Sequence, residues 1–410
     1  MSIIPKHPIP RKAPVITRRT RIGLILAAVG AFAFTTLGSS RVAFSQVEGF
    51  GSPSSSTPDV GGAAVVVRGG TRLRMSGSCS TGLFELELAR GRCTHGPDMG
   101  PDLAQDIGSP PIQIAGEPWP CVGTGSDGKR VQAMYVHAVG TADNLAANRT
   151  RFDSIATKIE AVYNQSAAKT GGSRFVRFVT SSGSAGCTLS ILDIAVTSAA
   201  MSDFGTLTNE LSTAGYNNTS RHYMIWLDGG SAYCGIGNLY GDDSPGQTNL
   251  NATQALYASV TNQCWDYAEP HEIMHNLGGV QNTAAHSTGG YHCNDQHDYM
   301  CYNDGGARAA QTVTCPSASP WHFDCNNDDY FSTAPPANSY LSTHWNTASS
   351  PYLMAGSAPN PTTTTTSPPT TTQPVATTTR PAATTTQPAA TTTQPAATTT
   401  QPAEIGRAHV

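Results

Sequence analysis

The 410 residues carry 24 Lys and Arg against 28 Asp and Glu, a formal net charge of −4, with only 13% charged residues. So weak a basic balance argues against a dedicated nucleic-acid binder. Forty glycines, 28 prolines and long threonine tracts favour one sizeable globular domain with extended ends over two full domains.

Residues 1–21 are basic and free of acid, Ile22 to Gly38 is an uncharged apolar run, and small residues around Ser39, Ser40 and Ala43 close it. That layout predicts an export signal over 1–45, with a retained signal anchor as the alternative; no other stretch is apolar enough to span a bilayer. Ten cysteines agree with export: none forms a CxxC pair, and an even number in that context reads as disulfides. Cys293 with Cys301 and Cys315 with Cys325 suit local pairs.

Residues 46–128, Gly/Ser-rich and then proline-rich, predict an irregular segment tied by disulfides, either a pro-segment or an N-terminal brace. Arg92-Cys93 ahead of Pro97-Asp98 is similar to a cysteine that plugs the metal of latent proteases, though a disulfide is the reading preferred for Cys93. From residue 129 the pattern sharpens. A strand is expected over Arg130 to Val139. Phe152, Ile155, Ile159, Val162 and Tyr163 then fall at helical spacing across 151–168. Strands at 175–180 and 188–196, a helix at 202–213, a strand at 222–227 and a short edge strand in 233–240 complete a mixed sheet with helices packed on it, an α+β domain over 129–357. Residues 358–403, almost only Thr, Pro, Ala and Gln, predict an extended linker. The last seven residues, 404–410, break its repeat without physical reason and read as a tail foreign to the natural chain.

The chemistry concentrates at His271-Glu272-Ile273-Met274-His275, with Gly278 three residues on. Two imidazoles at i and i+4 share one helix face and suit a single zinc ion, and the carboxylate between them suits a general base toward a water that zinc acidifies. Pro270 sits well in the first turn of a two-turn helix over 270–277 with Asp266 or Glu269 near its cap, and Gly278 can end it left-handed. No EF-hand spacing is present, but Asp295, Asp298, Asp324, Asp328 and Asp329 offer hard oxygens to calcium; solvated loop acids are the reading preferred. No GxSxG supports serine chemistry.

With Asp298-Tyr299-Met300-Cys301-Tyr302 downstream, the HExxHxxG run resembles the metzincin zinc proteases, and CGIGNLYGDD, HEIMHNLGGVQ and HCNDQHDYMCY resemble a group of secreted bacterial members over about 90–357. The resemblance implies a disulfide-bonded metzincin-like fold with a twisted mixed sheet and an active-site helix. His271 and His275 would be ligands, Glu272 the general base, Met300 the floor of the site and Tyr302 an oxyanion donor. The position of the family's third ligand holds Gln281, a poor zinc ligand. His286, His292 and His297 follow, and the reading adopted is His286, five residues on in a glycine-containing loop; His292 adjoins Cys293, whose disulfide would hold it away. The expectation is a secreted zinc endopeptidase acting on proteins or peptides, touching membrane only through its N-terminus if uncleaved. The alternatives are a non-catalytic wall or adhesion protein with a degenerate zinc site, and an amidase acting on wall peptides.

Overall fold

The computed structural model describes residues 64–98, 120–183, 186–230, 232–312, 314 and 322–356. The chain divides into two units, Met1–Val66 and Val67–Val410, and only residues 64–66 of the first are described. The expected export segment, the proline-rich stretch 99–119, Cys315, the linker and the last seven residues lie outside the described residues. No described helix is long and apolar enough to cross a membrane.

In chain order the elements are β1 (Val65–Arg68), β2 (Thr71–Arg74), β3 (Phe84–Leu86), β4 (Cys93–Thr94), β5 (Arg130–Ala138) and α1 (Leu145–Ala168). Then come β6 (Phe175–Val176), β7 (Thr180–Gly183), β8 (Gly186–Leu189), β9 (Ile191–Val196), α2 (Phe204–Thr213), β10 (Arg221–Leu227), β11 (Gly235–Gly237), α3 (Leu250–Thr253) and β12 (Leu256–Thr261). The series closes with α4 (Glu269–Asn276), α5 (Tyr340–Thr343), a 3₁₀ turn (Thr347–Ser349) and β13 (Leu353–Met354).

The central sheet has five strands in the order β11-β12-β10-β5-β9. The last four run parallel, and β11 is antiparallel on one edge. Strands β5, β10 and β12 are buried along nearly their whole length, as parallel strands covered on both faces are. Helix α1 lays Phe152, Ile155, Ile159, Val162 and Tyr163 into that core, with Phe152 stacked on Trp226 at 4.2 Å between centroids. The mixed sheet with helices packed on it is present as expected from the periodicity, in a mixed α/β domain that carries disulfides. Helix α1 starts six residues earlier than expected, where the Asp143 carboxylate accepts the Leu145 N–H. The expected strand over 188–196 is interrupted, with its first half pairing β7 in a separate hairpin. Strand β12 was not foreseen, because Ser259 and Thr261 interrupt its apolar run although both are fully buried.

The segment before residue 129 is more ordered than expected: β1 to β4 form a four-stranded sheet. Among the described residues, disulfides join Cys79–Cys93, Cys121–Cys187, Cys234–Cys264 and Cys293–Cys301, so the local pair expected at 293 and 301 forms. Cys93 is thus a disulfide half and plugs nothing.

Two of the aspartates considered for calcium are instead structural. Asp324 Oδ1 accepts the Asp328 N–H at 3.0 Å, and Oδ2 accepts those of Asp329, Tyr330 and Phe331 at 3.1, 2.7 and 2.6 Å. Asp298 accepts the Met300 and Cys325 N–H groups and the Tyr330 hydroxyl. Carboxylates saturated by backbone donors have few lone pairs left for a cation. Replacing Asp324 with Ala orphans several buried N–H groups at once, so Asp324→Ala is expected to lower the unfolding free energy by about 4 kcal/mol, read from urea denaturation curves.

Candidate metal centre

Helix α4 is short and wholly buried. Pro270 fills its first turn, and Glu269 reaches back to accept the Asp266 N–H at 3.1 Å and the Trp226 indole N–H at 3.0 Å, fixing the helix start against β10. At the other end Gly278 takes φ +93°, and a Cβ there would lie 2.8 Å from both Asn251 and Trp345 side-chain nitrogens, so glycine is required.

Both histidines of the helix point into one buried pocket, where a third joins them. His271 Nε2 lies 3.0 Å from His275 Nε2, which lies 3.2 Å from His292 Nε2, and all three residues are buried. The third ring the fold brings there is His292; His286, the ligand expected from the sequence, lies apart from it with Asp328 and Asp329. His286 is 40% exposed, and its Nδ1 bonds the Asp329 carboxylate at 2.8 Å. Gln281 is also turned away, its amide donating to the Tyr240 and Gly278 carbonyls, and His297 joins none of the described ligand groups. The Cys293–Cys301 bridge, expected to hold His292 off, ties its loop to the segment bearing Met300 and Tyr302, and Cys293 N–H donates to the Met300 carbonyl.

The tautomers are set from outside. His271 Nδ1 faces the Tyr299 carbonyl at 2.9 Å and His292 Nδ1 faces Asp304 Oδ2 at 3.0 Å. Each acceptor requires Nδ1 to carry a proton, so Nε2 is the nitrogen turned to the pocket and the one a cation would take. Nε2 atoms of three rings brought together in one buried pocket are a ready donor set for an electrophile. Tetrahedral zinc with Zn–N about 2.05 Å would hold its nitrogens about 3.3 Å apart, close to the separations seen. Glu272 completes the case: both carboxylate oxygens are buried without a hydrogen-bond partner. Its room comes from Gly235 and Gly237 on β11, since a Cβ on Gly235 would lie 2.1 Å from Glu272 Oε1. Two glycines at alternate strand positions were the sequence signal for that close approach, and it went unread. Burial, together with the neighbouring Asp98 charge, raises the Glu272 carboxyl well above its usual range.

Sequence reasoning also missed Asp98 and His95. Asp98 Oδ2 lies 3.2 Å from His271 Nε2 and Oδ1 lies 3.4 Å from His292 Nε2, and Tyr302 donates its hydroxyl to Oδ1. Burial opposes its charge, but the surrounding imidazoles hold Asp98 well below the usual carboxylate range. His95 stacks on His275 at 3.8 Å between centroids, and burial pushes it down to about 3. These side chains ride on a strand-like peptide. Asp98 N–H donates to Gly235 O at 2.9 Å, Cys234 N–H to Asp98 O at 2.8 Å and Leu239 N–H to Cys93 O at 3.1 Å, so residues 93–98 run antiparallel along β11. Met300 is fully buried with Ile273 and Met274 in the core, and the Tyr302 ring lies 4.3 Å from His292.

No family model matches the sequence, and no curated protein does. Among solved structures it is similar to the crystal structure of metalloproteinase-II from Bacteroides fragilis, at 15% identity and a TM-score of 0.26, covering 54% of this chain and 57% of that one. The chain thus spans little more than half that protein's length, and so low a score carries no argument.

His292→Ala is expected to weaken divalent-cation affinity at least about tenfold, and His286→Ala to leave it within about twofold, measured by competition with a chromophoric chelator.

Proposed function

We propose that the protein is an exported zinc endopeptidase and that the described conformation is its latent form. The observation that carries the reading is the peptide 93–98 lying as an added strand on β11, beside three converging imidazoles and an unpartnered glutamate. A groove that takes a main chain by strand pairing suits an extended peptide substrate. Three neutral nitrogen donors with an oxygen beside them are a zinc donor set, whereas calcium takes oxygens alone. Disulfides suit an oxidising compartment, in keeping with export.

His271, His275 and His292 would hold the ion, which when bound supplies Lewis acidity toward water and a peptide carbonyl. The chain's own groups do the rest. Glu272, desolvated and poised to hold a proton, accepts one from the attacking water and passes it to the leaving amine. Tyr302, freed of Asp98, turns its hydroxyl to the developing oxyanion. Edge strand β11 aligns the substrate main chain through the carbonyl of Gly235 and the amide N–H groups of Cys234 and Leu239, which the segment 93–98 now engages. Gln281 and the Thr/Pro-rich linker speak for the degenerate-site alternative; a third imidazole beside His275 supports the catalytic reading.

Latency follows from the same contacts, and it gives the segment over 46–128 the role of a pro-segment. Asp98→Ala removes a charge-assisted contact worth about 1.5–3 kcal/mol, so peptidase activity of the full chain is expected to rise about tenfold to a hundredfold. Adding Glu272→Gln to that variant should then cut turnover by about a hundredfold or more while zinc stays bound. Casein or a quenched-peptide library, with and without chelator, is the measurement. Activity indifferent to both substitutions removes the reading, and hydrolysis confined to purified peptidoglycan would make the protein a wall amidase instead.

A further inference from the structure

His292 differs from its two partners in how it is held. His271 and His275 are fixed by a helix, whereas His292 sits on a loop whose preceding residues, Gly289 and Tyr291, take φ of +91° and +70°. What aims its ring must therefore come from side chains. Asp304 Oδ2 lies 3.0 Å from His292 Nδ1 and also accepts the Thr288 hydroxyl at 2.6 Å, while Oδ1 accepts the Gly306 N–H at 2.8 Å. The carboxylate occupies a fitted cradle. A Cβ on Gly290 would stand 2.3 Å from Asp304 Oδ2, and one on Gly306 would stand 2.6 Å from the Thr288 carbonyl and 3.0 Å from Asp304 Oδ1. Among the three rings only His292 has an anionic partner on the far nitrogen: His271 has a backbone carbonyl, and His275 Nδ1 is buried with none.

We propose that Asp304, seated between Gly290 and Gly306, is the positioning residue that aims His292 Nε2 into the pocket and fixes its Nδ1–H tautomer, making a loop histidine serve as the third cation ligand. The inference rests on the zinc reading of His271, His275 and His292. An anionic acceptor on the far nitrogen makes the near one a stronger donor, and removing such a partner typically costs about tenfold to a hundredfold in metal affinity. The arrangement also explains why a sequence with Gln281 in the expected ligand position needs Asn303-Asp304-Gly305-Gly306 downstream.

The test uses the full chain with zinc alone as the probe. Asp304→Ala is expected to lower zinc affinity about tenfold to a hundredfold in chelator competition, and Asp304→Asn, which keeps the shape, to lower it in the same direction. The cobalt-loaded Asp304→Asn chain should show shifted d–d bands with unchanged near-ultraviolet circular dichroism. Ser287→Ala removes hydroxyl contacts to Asn282 and the Gly289 N–H in the same loop without touching His292 or Asp304, so its zinc affinity should stay within about twofold of the unaltered chain. Equal affinity and equal cobalt spectra in the folded Asp304→Asn chain overturn the proposal, as does a loss in Ser287→Ala matching that in Asp304→Ala, which would make Asp304 a structural prop. An unaltered chain that takes up no zinc removes the metal reading itself and this inference with it.

Discussion

Three imidazoles meet in one buried pocket, with His275 Nε2 lying 3.0 Å from His271 Nε2 and 3.2 Å from His292 Nε2, and the site is organised around that meeting. All three rings are buried, and a buried polar atom without a partner, as His275 Nδ1 and both Glu272 oxygens are, costs roughly 1–3 kcal/mol. The protein sustains the arrangement by fixing two of the rings through their outer nitrogens. A pocket with several unanswered acceptors and a carboxylate with no donor is costly for stability alone, and it becomes favourable once a cation satisfies them together.

The rest of the fold serves that pocket. A parallel sheet buried on both faces supplies a rigid wall, and the Trp226 indole on β10 holds Glu269 and with it the start of the histidine helix. Strand β11 lies beside the helix at glycine spacing, which lets the Glu272 carboxylate reach the strand backbone. Asp298 and Asp324 fix the loops beyond Met300 by taking up backbone N–H groups, and the Cys293–Cys301 bridge links the third histidine to that frame. Distant parts of the chain thus converge because each has a separate tether.

How much of this was legible follows from the range of each interaction. The HExxH pair is local, set by helix periodicity, and it was read directly from the sequence. So were the amphipathic helix around Phe152 and Ile159 and the strands with clean apolar runs. His292 was not, because its placement depends on a loop crossing, a disulfide and Asp304, none of which leaves a periodic trace. His286 looked nearer along the chain, but Asp329 claims it. Residues 93–98 were hidden for a similar reason. Thr94-His95-Gly96-Pro97-Asp98 has no strand periodicity, and its order comes from β11, which lies more than 130 residues downstream.

The same pairing suggests why, on the proposed reading, residues 93–98 would resist the machinery they occupy. The Asp98 carbonyl accepts the Cys234 N–H at 2.8 Å and so faces the strand, while its side-chain carboxylate faces the histidines. A peptide bound for hydrolysis must present a main-chain carbonyl to that point, with Glu272 free to hold the water's proton. Here a carboxylate stands in the carbonyl's place, beside Glu272, and its negative charge favours the protonated form of that base. Asp98 would then block both geometry and proton transfer. Displacing it would leave the β11 edge free for a peptide whose backbone hydrogen bonds match those given up, so little pairing energy would separate the latent and substrate-bound states.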